Sequence, residues 1–164
     1  MRNPLLSLGI AFFALSNCLY AQSESDSALY NRGIALFKAS TTTENYLATA
    51  SYFEEVSREN PEHWLAQYYA GFAYILACQR ATDNKIKDEL LDKAQPFIDK
   101  SFILKPGESE VHALQAFLYQ IRLQINPQVR AVNLSQKAEA SLKKAMEADS
   151  TNPRAYFLMA NNIY

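Results

Sequence analysis

Residues 70–76 read AGFAYIL, and residues 115–121 read QAFLYQI. Phe72 and Tyr74 in the first stretch return as Phe117 and Tyr119 in the second, and Pro61 returns as Pro106, each 45 positions later. Further along, Ala94, Ile98 and Ser101 return as Ala138, Leu142 and Ala145, each 44 later, while Phe53 and Val56 lie 45 before Ile98 and Ser101. A fixed period of this length is what stacked helical hairpins produce, because one hairpin cannot bury its own apolar face. The matches fall in both halves of the unit, so the whole unit repeats.

The spacing inside each unit is helical. Tyr30, Ile34 and Phe37 stand at i, i+4, i+7, and Ile86, Leu90 and Ala94 follow at fourfold steps. Ala138, Leu142, Ala145 and Met146 form the same stripe, and no stretch sustains the alternation of a strand. With only 4 glycines and 6 prolines, the chain is poor in the turn residues that an all-β fold needs. Asn60-Pro61, Asn126-Pro127 and Asn152-Pro153 read as helix starts, an amide cap before a proline that has no N–H to strand. Thr41-Thr42-Thr43-Glu44 has capping-box spacing. These signals predict helices near 25–39, 43–59, 61–80, 84–104, 108–125, 127–148 and 153–164. The expected fold is all-α, about seven helices in antiparallel hairpins. Its expected core includes Gly71, Tyr74, Ala94, Ile98, Tyr119, Ala138, Leu142 and Ala145.

The N-terminal residues read as an export signal spanning 1–21. Arg2 precedes an uncharged run from Leu5 to Leu19, then Leu19-Tyr20-Ala21 offers a cleavage site before the polar Gln22–Ser27. The run is shorter than the ~20 residues that cross a bilayer, so no membrane span is expected. Leu15-Ser16-Asn17-Cys18 is a poor lipoprotein signal, which makes lipid anchoring through Cys18 the lesser alternative to a periplasmic or secreted form. Once the signal is removed, Cys78 has no disulfide partner and reads as a small buried thiol.

These residues resemble the tetratricopeptide repeat family. The second unit offers Gly71 and Tyr74, then Ala94, Ile98, Ser101 and Pro106. The third offers Ala116, Tyr119, Ala138, Leu142 and Ala145, the first has Gly33, Phe53, Val56 and Pro61, and a fourth begins with Tyr156, Met159 and Ala160. The resemblance implies a right-handed superhelical stack (an α-solenoid) across residues 22–164, with units 27–61, 62–106 and 107–150 and a partial fourth at 153–164. The family unit is nominally 34 residues, and the longer period here is nearer that of HEAT-like repeats, the structural alternative.

In this family the first helix of each pair lines a concave face that meets a partner. That places Tyr30, Ile34 and Phe37, then Leu65, Tyr68, Phe72 and Ile75, then Ala113, Phe117 and Gln120 on the expected binding face. The family's carboxylate clamp is not carried over, because the matching positions hold Tyr30, Ile34, Tyr69, Glu110 and Leu114. The terminal helix lacks a companion, and Phe157, Met159, Ile163 and Tyr164 are expected to meet a second copy, another molecule or the continuation of a longer chain.

The expected role is a non-enzymatic protein- or peptide-binding scaffold of the envelope or secreted space. The alternatives are a module that binds small molecules or glycans, with Tyr side chains and Trp64 as stacking surfaces, and a purely structural one. Catalytic motifs are absent. The glycines are scattered, no serine lies in G-x-S-x-G, and His63 and His112 stand outside metal spacings and read as solvated helix starts. No cofactor or metal is expected. A net charge of -1 without a basic cluster argues against nucleic acid.

Overall fold

A computed structural model describes residues 27–162. The expected signal, Cys18, Ile163 and Tyr164 lie outside them. The chain divides into two compact units, Met1–Ala35 and Leu36–Tyr164.

All regular structure among the described residues is helical: α1 (27–39), α2 (Thr43–Glu59), α3 (Trp64–Arg80), α4 (Asn84–Leu104), α5 (Ser109–Ile125), α6 (Pro127–Ala148) and α7 (Pro153–Ala160). Short turns join consecutive helices from α2 onward, and each packs on the next, so neighbours run antiparallel. In addition α3 touches α5, and α5 touches α7.

Local chemistry explains most boundaries. Asp83 caps α4 by accepting from the Ile86 N–H at 2.9 Å, and Asn152 caps α7 by accepting from the Arg154 and Ala155 N–H groups. Pro127 occupies the first turn of α6, where its missing N–H costs nothing. Two expected starts are corrected. Asn60-Pro61 does not open α3. Asn60 instead ends α2, donating its N–H to the Val56 carbonyl, because a residue before proline is pushed out of the helical region. The chain then turns through Pro61 and Glu62, and α3 begins at Trp64. The capping pair at α2 is shifted by one, since Thr42 accepts from the Asn45 N–H and donates to Asn45 Oδ1 at 3.0 Å. Pro96 sits inside α4 without ending it, on a solvent-exposed side of the helix.

The interior follows the expected stripes. Ala94, Ile98, Ala138, Leu142 and Ala145 are fully buried, Gly71 and Tyr74 are buried, and Tyr119 is half-buried. Phe53 lies fully buried against Phe37 and Tyr69, with ring centroids 6.2 and 5.0 Å away. A second cluster joins Ala113, Ala116, Ala138, Leu142, Ala145, Ala155 and Leu158 across α5, α6 and α7. Each fully buried Leu or Ile contributes ~1.5–3 kcal/mol of transfer free energy. Gly71 marks a close approach of α3 to α4: a Cβ there would lie 3.0 Å from Ile98 Cγ1 and 3.4 Å from the Ala94 carbonyl oxygen.

Successive pairs are chemically equivalent. The Tyr74 hydroxyl donates to Glu54, twenty residues earlier on α2. Tyr119 feels the charge of Asp99, twenty residues earlier on α4, and the phenols of both tyrosines are pushed up first by burial and then by that carboxylate. The seam within each of two pairs is also stitched by a serine hydroxyl, with the donor exchanged. In α3/α4 the Ser101 hydroxyl donates to the Trp64 carbonyl at 3.3 Å. In α5/α6 position 145 is alanine, and Ser109 at the Trp64 register supplies the hydroxyl, donating to the Ala145 carbonyl at 2.8 Å.

Candidate binding groove

The odd-numbered helices α3, α5 and α7 share a face, and on it lies an apolar cavity of about 220 Å³. Phe72 and Leu76 come from α3, Leu114 and Phe117 from α5, and Arg154, Phe157 and Leu158 from α7. Leu114 and Leu158 form a buried floor, Phe72 and Phe117 are half-buried walls, and Phe157 is 68% exposed at the rim. The volume is below the ~300–1,000 Å³ that encloses a drug-sized ligand. A larger ligand would therefore be held by one face or edge and remain partly in solvent.

A polar corner adjoins this cavity. The buried Tyr68 hydroxyl donates to Glu110 Oε2 at 3.0 Å and accepts from Arg154 Nη1. Arg154 Nη1 also pairs with Glu110 Oε2 at 3.2 Å, and its guanidinium lies 5.1 Å over the Phe72 ring. Burial, more than any neighbour, pushes the Tyr68 phenol far above its ordinary range; Glu110 adds to this and Arg154 opposes it. The hydroxyl therefore stays protonated and keeps donating.

Two buried polar contacts fix α7, which is only eight residues long. Near its start, Asn152 Nδ2 donates to Ser109 Oγ at 2.8 Å while its oxygen caps the helix. Near its end, Gln120 Nε2 donates to the Leu158 carbonyl at 2.8 Å. These contacts add to the packing of Ala155, Leu158 and Met159 on the second cluster and help hold Arg154 and Phe157 over the cavity.

The expected binding residues scatter. Phe72, Phe117 and Phe157 converge on the cavity, and Tyr68 builds the polar corner. Phe37 lies behind Phe72, ring centroids 5.0 Å apart, and Leu65 is half-buried outside the lining. Ile75 and Ala113 are corrected to core, both fully buried with no surface to offer. Gln120 is also buried and serves α7 rather than a partner. Met159 packs on the second cluster. Tyr30, 52% exposed, and Ile34, half-buried, belong to the unit Met1–Ala35. Leu76, Leu114, Arg154 and Leu158 complete the lining, and the first three were not among the expected binding residues. The repeat register could have pointed to Arg154, because it falls 44 residues after Glu110.

The histidines are corrected too. His63 is buried before α3, and His112 is half-buried with its ring 4.8 Å from Phe102. Burial, aided by Lys144, holds the His112 pKa below the ordinary histidine value. Cys78 is fully buried, and burial pushes its thiol up to about 11. Among the described residues no group of three His, Cys, Asp or Glu is placed to hold a metal, and no helix is long and apolar enough to cross a membrane.

Fold and groove together define an all-helical protein of packed hairpins with an aromatic cavity along one row of helices. Among solved structures it is similar to the HusA haemophore from Porphyromonas gingivalis, with a TM-score of 0.73 and 29% sequence identity over 83% of this chain. The match covers 66% of that structure, just under two thirds of its length. No protein-family model and no curated protein matches the sequence.

Proposed function

We propose that this chain is an exported, non-enzymatic binding protein whose groove takes a flat, largely apolar ring ligand of the haem class. The carrying observation is the cavity itself, three phenylalanines over a leucine floor with one cation at its edge. Similarity to a haemophore supports the ligand class. Aromatic side chains hold planar rings through offset or edge contacts, each adding ~0.5–1.5 kcal/mol beyond burial.

The lining fits the ring of such a ligand better than its metal. It contains no His, Met or Cys, and the two histidines lie elsewhere. Recognition therefore rests on the macrocycle, and the iron receives no side-chain ligand from the lining. The decisive experiment is titration of the mature protein with haem and with metal-free protoporphyrin, followed by Soret absorbance and by quenching of Trp64, the single tryptophan. Saturable binding of both, weakened by Phe72→Ala and Phe117→Ala, is expected. No binding of either, or binding indifferent to both substitutions, overturns the reading.

A protein or peptide partner is the second reading, favoured by Phe157 and Tyr156, which are 68% and 51% exposed on adjacent positions of α7. Its mark would be a concentration-dependent rise in mass by light scattering that Phe157→Ser abolishes, in a protein that ignores porphyrins. The tetratricopeptide-type superhelix is the arrangement we propose for the stack, supported by the equivalence of Tyr74 with Tyr119 and of the two serine seams.

A further inference from the structure

We infer that Arg154 receives a carboxylate of the groove's ligand, and that Glu110 limits how much negative charge the site accepts. The inference deepens the proposed ring-binding reading and depends on it. Arg154 is the only charged residue among the seven that line the cavity. Its contacts use one corner of the guanidinium: Nη1 bonds both the Tyr68 oxygen and Glu110 Oε2. The face is stacked on Phe72. The opposite edge, Nη2 with Nε, makes no hydrogen bond among the described residues, and the side chain is 38% exposed. A guanidinium edge is the fork that takes a carboxylate through two parallel bonds. The half used internally fixes the plane of the half left over, so little ordering remains to be done when the ligand arrives.

Glu110 gives the arrangement its selectivity. Paired with Arg154 it leaves the corner neutral, so one incoming carboxylate makes it net negative and a second is repelled. A ring with carboxylates on one edge would enter apolar edge first, over Leu114 and Leu158, and leave its acids at the Arg154 end.

Protoporphyrin IX and its dimethyl ester share the ring and differ only in the acids, which separates this inference from the ring reading. Wild type is expected to bind both and to favour the diacid. Arg154→Gln should weaken the diacid about 10–100-fold, the span of a lost charge-assisted hydrogen bond, and weaken the ester far less, so that the diacid-to-ester ratio falls. Arg154→Lys, which keeps the charge but not the fork, should fall between. Glu110→Gln retains an acceptor for Tyr68 and should tighten the diacid severalfold, with the ester far less affected. A merely structural role would shift the melting temperature of the variants and move both ligands together. If the diacid-to-ester ratio is the same in wild type, Arg154→Gln and Glu110→Gln, the inference is overturned while ring binding stands. If wild type binds neither ligand, both fall.

Discussion

Ile98 and Gly71 form a lock at the α3–α4 crossing whose two parts should respond to substitution in opposite ways. Ile98 is fully buried, and it faces Gly71 of α3, whose missing Cβ would sit 3.0 Å from Ile98 Cγ1. Truncating a buried isoleucine to alanine costs ~2–5 kcal/mol, set by how far the surroundings collapse. Here the facing position has no side chain to move in, so Ile98→Ala should cost ~3–5 kcal/mol, the upper part of that range. Gly71→Ala in the wild-type background gains ~1 kcal/mol of helix propensity. It must also displace Ile98 Cγ1 and press on the Ala94 carbonyl 3.4 Å away, so the net change is near zero. In the Ile98→Ala background the same methyl enters the vacated space and adds ~0.8 kcal/mol of burial to the propensity gain. Gly71→Ala should therefore restore ~2 kcal/mol there, a coupling well above the ~0.5 kcal/mol scatter of independent sites. Urea unfolding followed by far-UV circular dichroism on the four proteins of the cycle reads this directly. Equal effects of Gly71→Ala in both backgrounds would refute the close approach, and with it the packing that sets Phe72 in the groove.

Three further outcomes follow from the same contacts. Arg130 grips Asp88 through two bonds of 2.7 and 2.8 Å, and this bonding, aided by Arg122, holds the Asp88 carboxyl below its ordinary value. Its stabilisation is then present above the unfolded carboxylate value of ~3.9 and lost as pH falls through the lower folded value. Asp88→Asn should cost about 1 kcal/mol at neutral pH, with the gap to wild type closing only in strong acid; a gap independent of pH contradicts the assignment. Cys78 should resist a thiol reagent in the native protein at mildly alkaline pH, because the thiol is buried and its pKa is raised to about 11. Fast stoichiometric labelling without unfolding would show the site to be open. Asn152→Ala removes a cap and a buried bond to Ser109, which should cost ~1–2 kcal/mol. It should also loosen α7 enough to weaken porphyrin binding, whereas unchanged affinity would mean that Arg154 and Phe157 are held by other means.

What the sequence made legible was whatever repeats. Phe53, Ile98 and Leu142 occupy one register and all three are fully buried, so periodicity alone found them. The helix ends were read well where capping chemistry acts locally, as at Asn152. They were misread at Asn60-Pro61, where the same two residues terminate one helix instead of starting the next. The groove was only half visible. Family-like register supplied Phe72 and Phe117, but it could not tell a wall from a floor, and it put fully buried Ile75 and Ala113 on the open face. Three residues separate Phe72 from Ile75 on one helix, and which of them is covered depends on the neighbours α3 happens to meet. Arg154 is the single cation of the terminal helix and stands outside its apolar stripe.

The packing itself explains why the ligand surface arises on α3, α5 and α7. The backbones of these helices approach one another in sequence, whereas those of α2, α4 and α6 stay apart, α4 and α6 meeting through the Arg130–Asp88 side-chain pair. The cavity's lining residues accordingly all come from α3, α5 and α7. Some registers of the odd helices differ between the units. One register reads Leu65, Glu110 and Arg154, and another reads Tyr68, Ala113 and Phe157. Placing a carboxylate in one unit and a guanidinium in the next at the same register brings them together across the α5–α7 contact, at 3.2 Å. Tyr68, one unit earlier, then reaches both. The polar corner is thus built by varying a single repeat position along a row that the fold already holds in contact, whereas two walls of the aromatic cavity beside it, Phe72 and Phe117, are one repeated position.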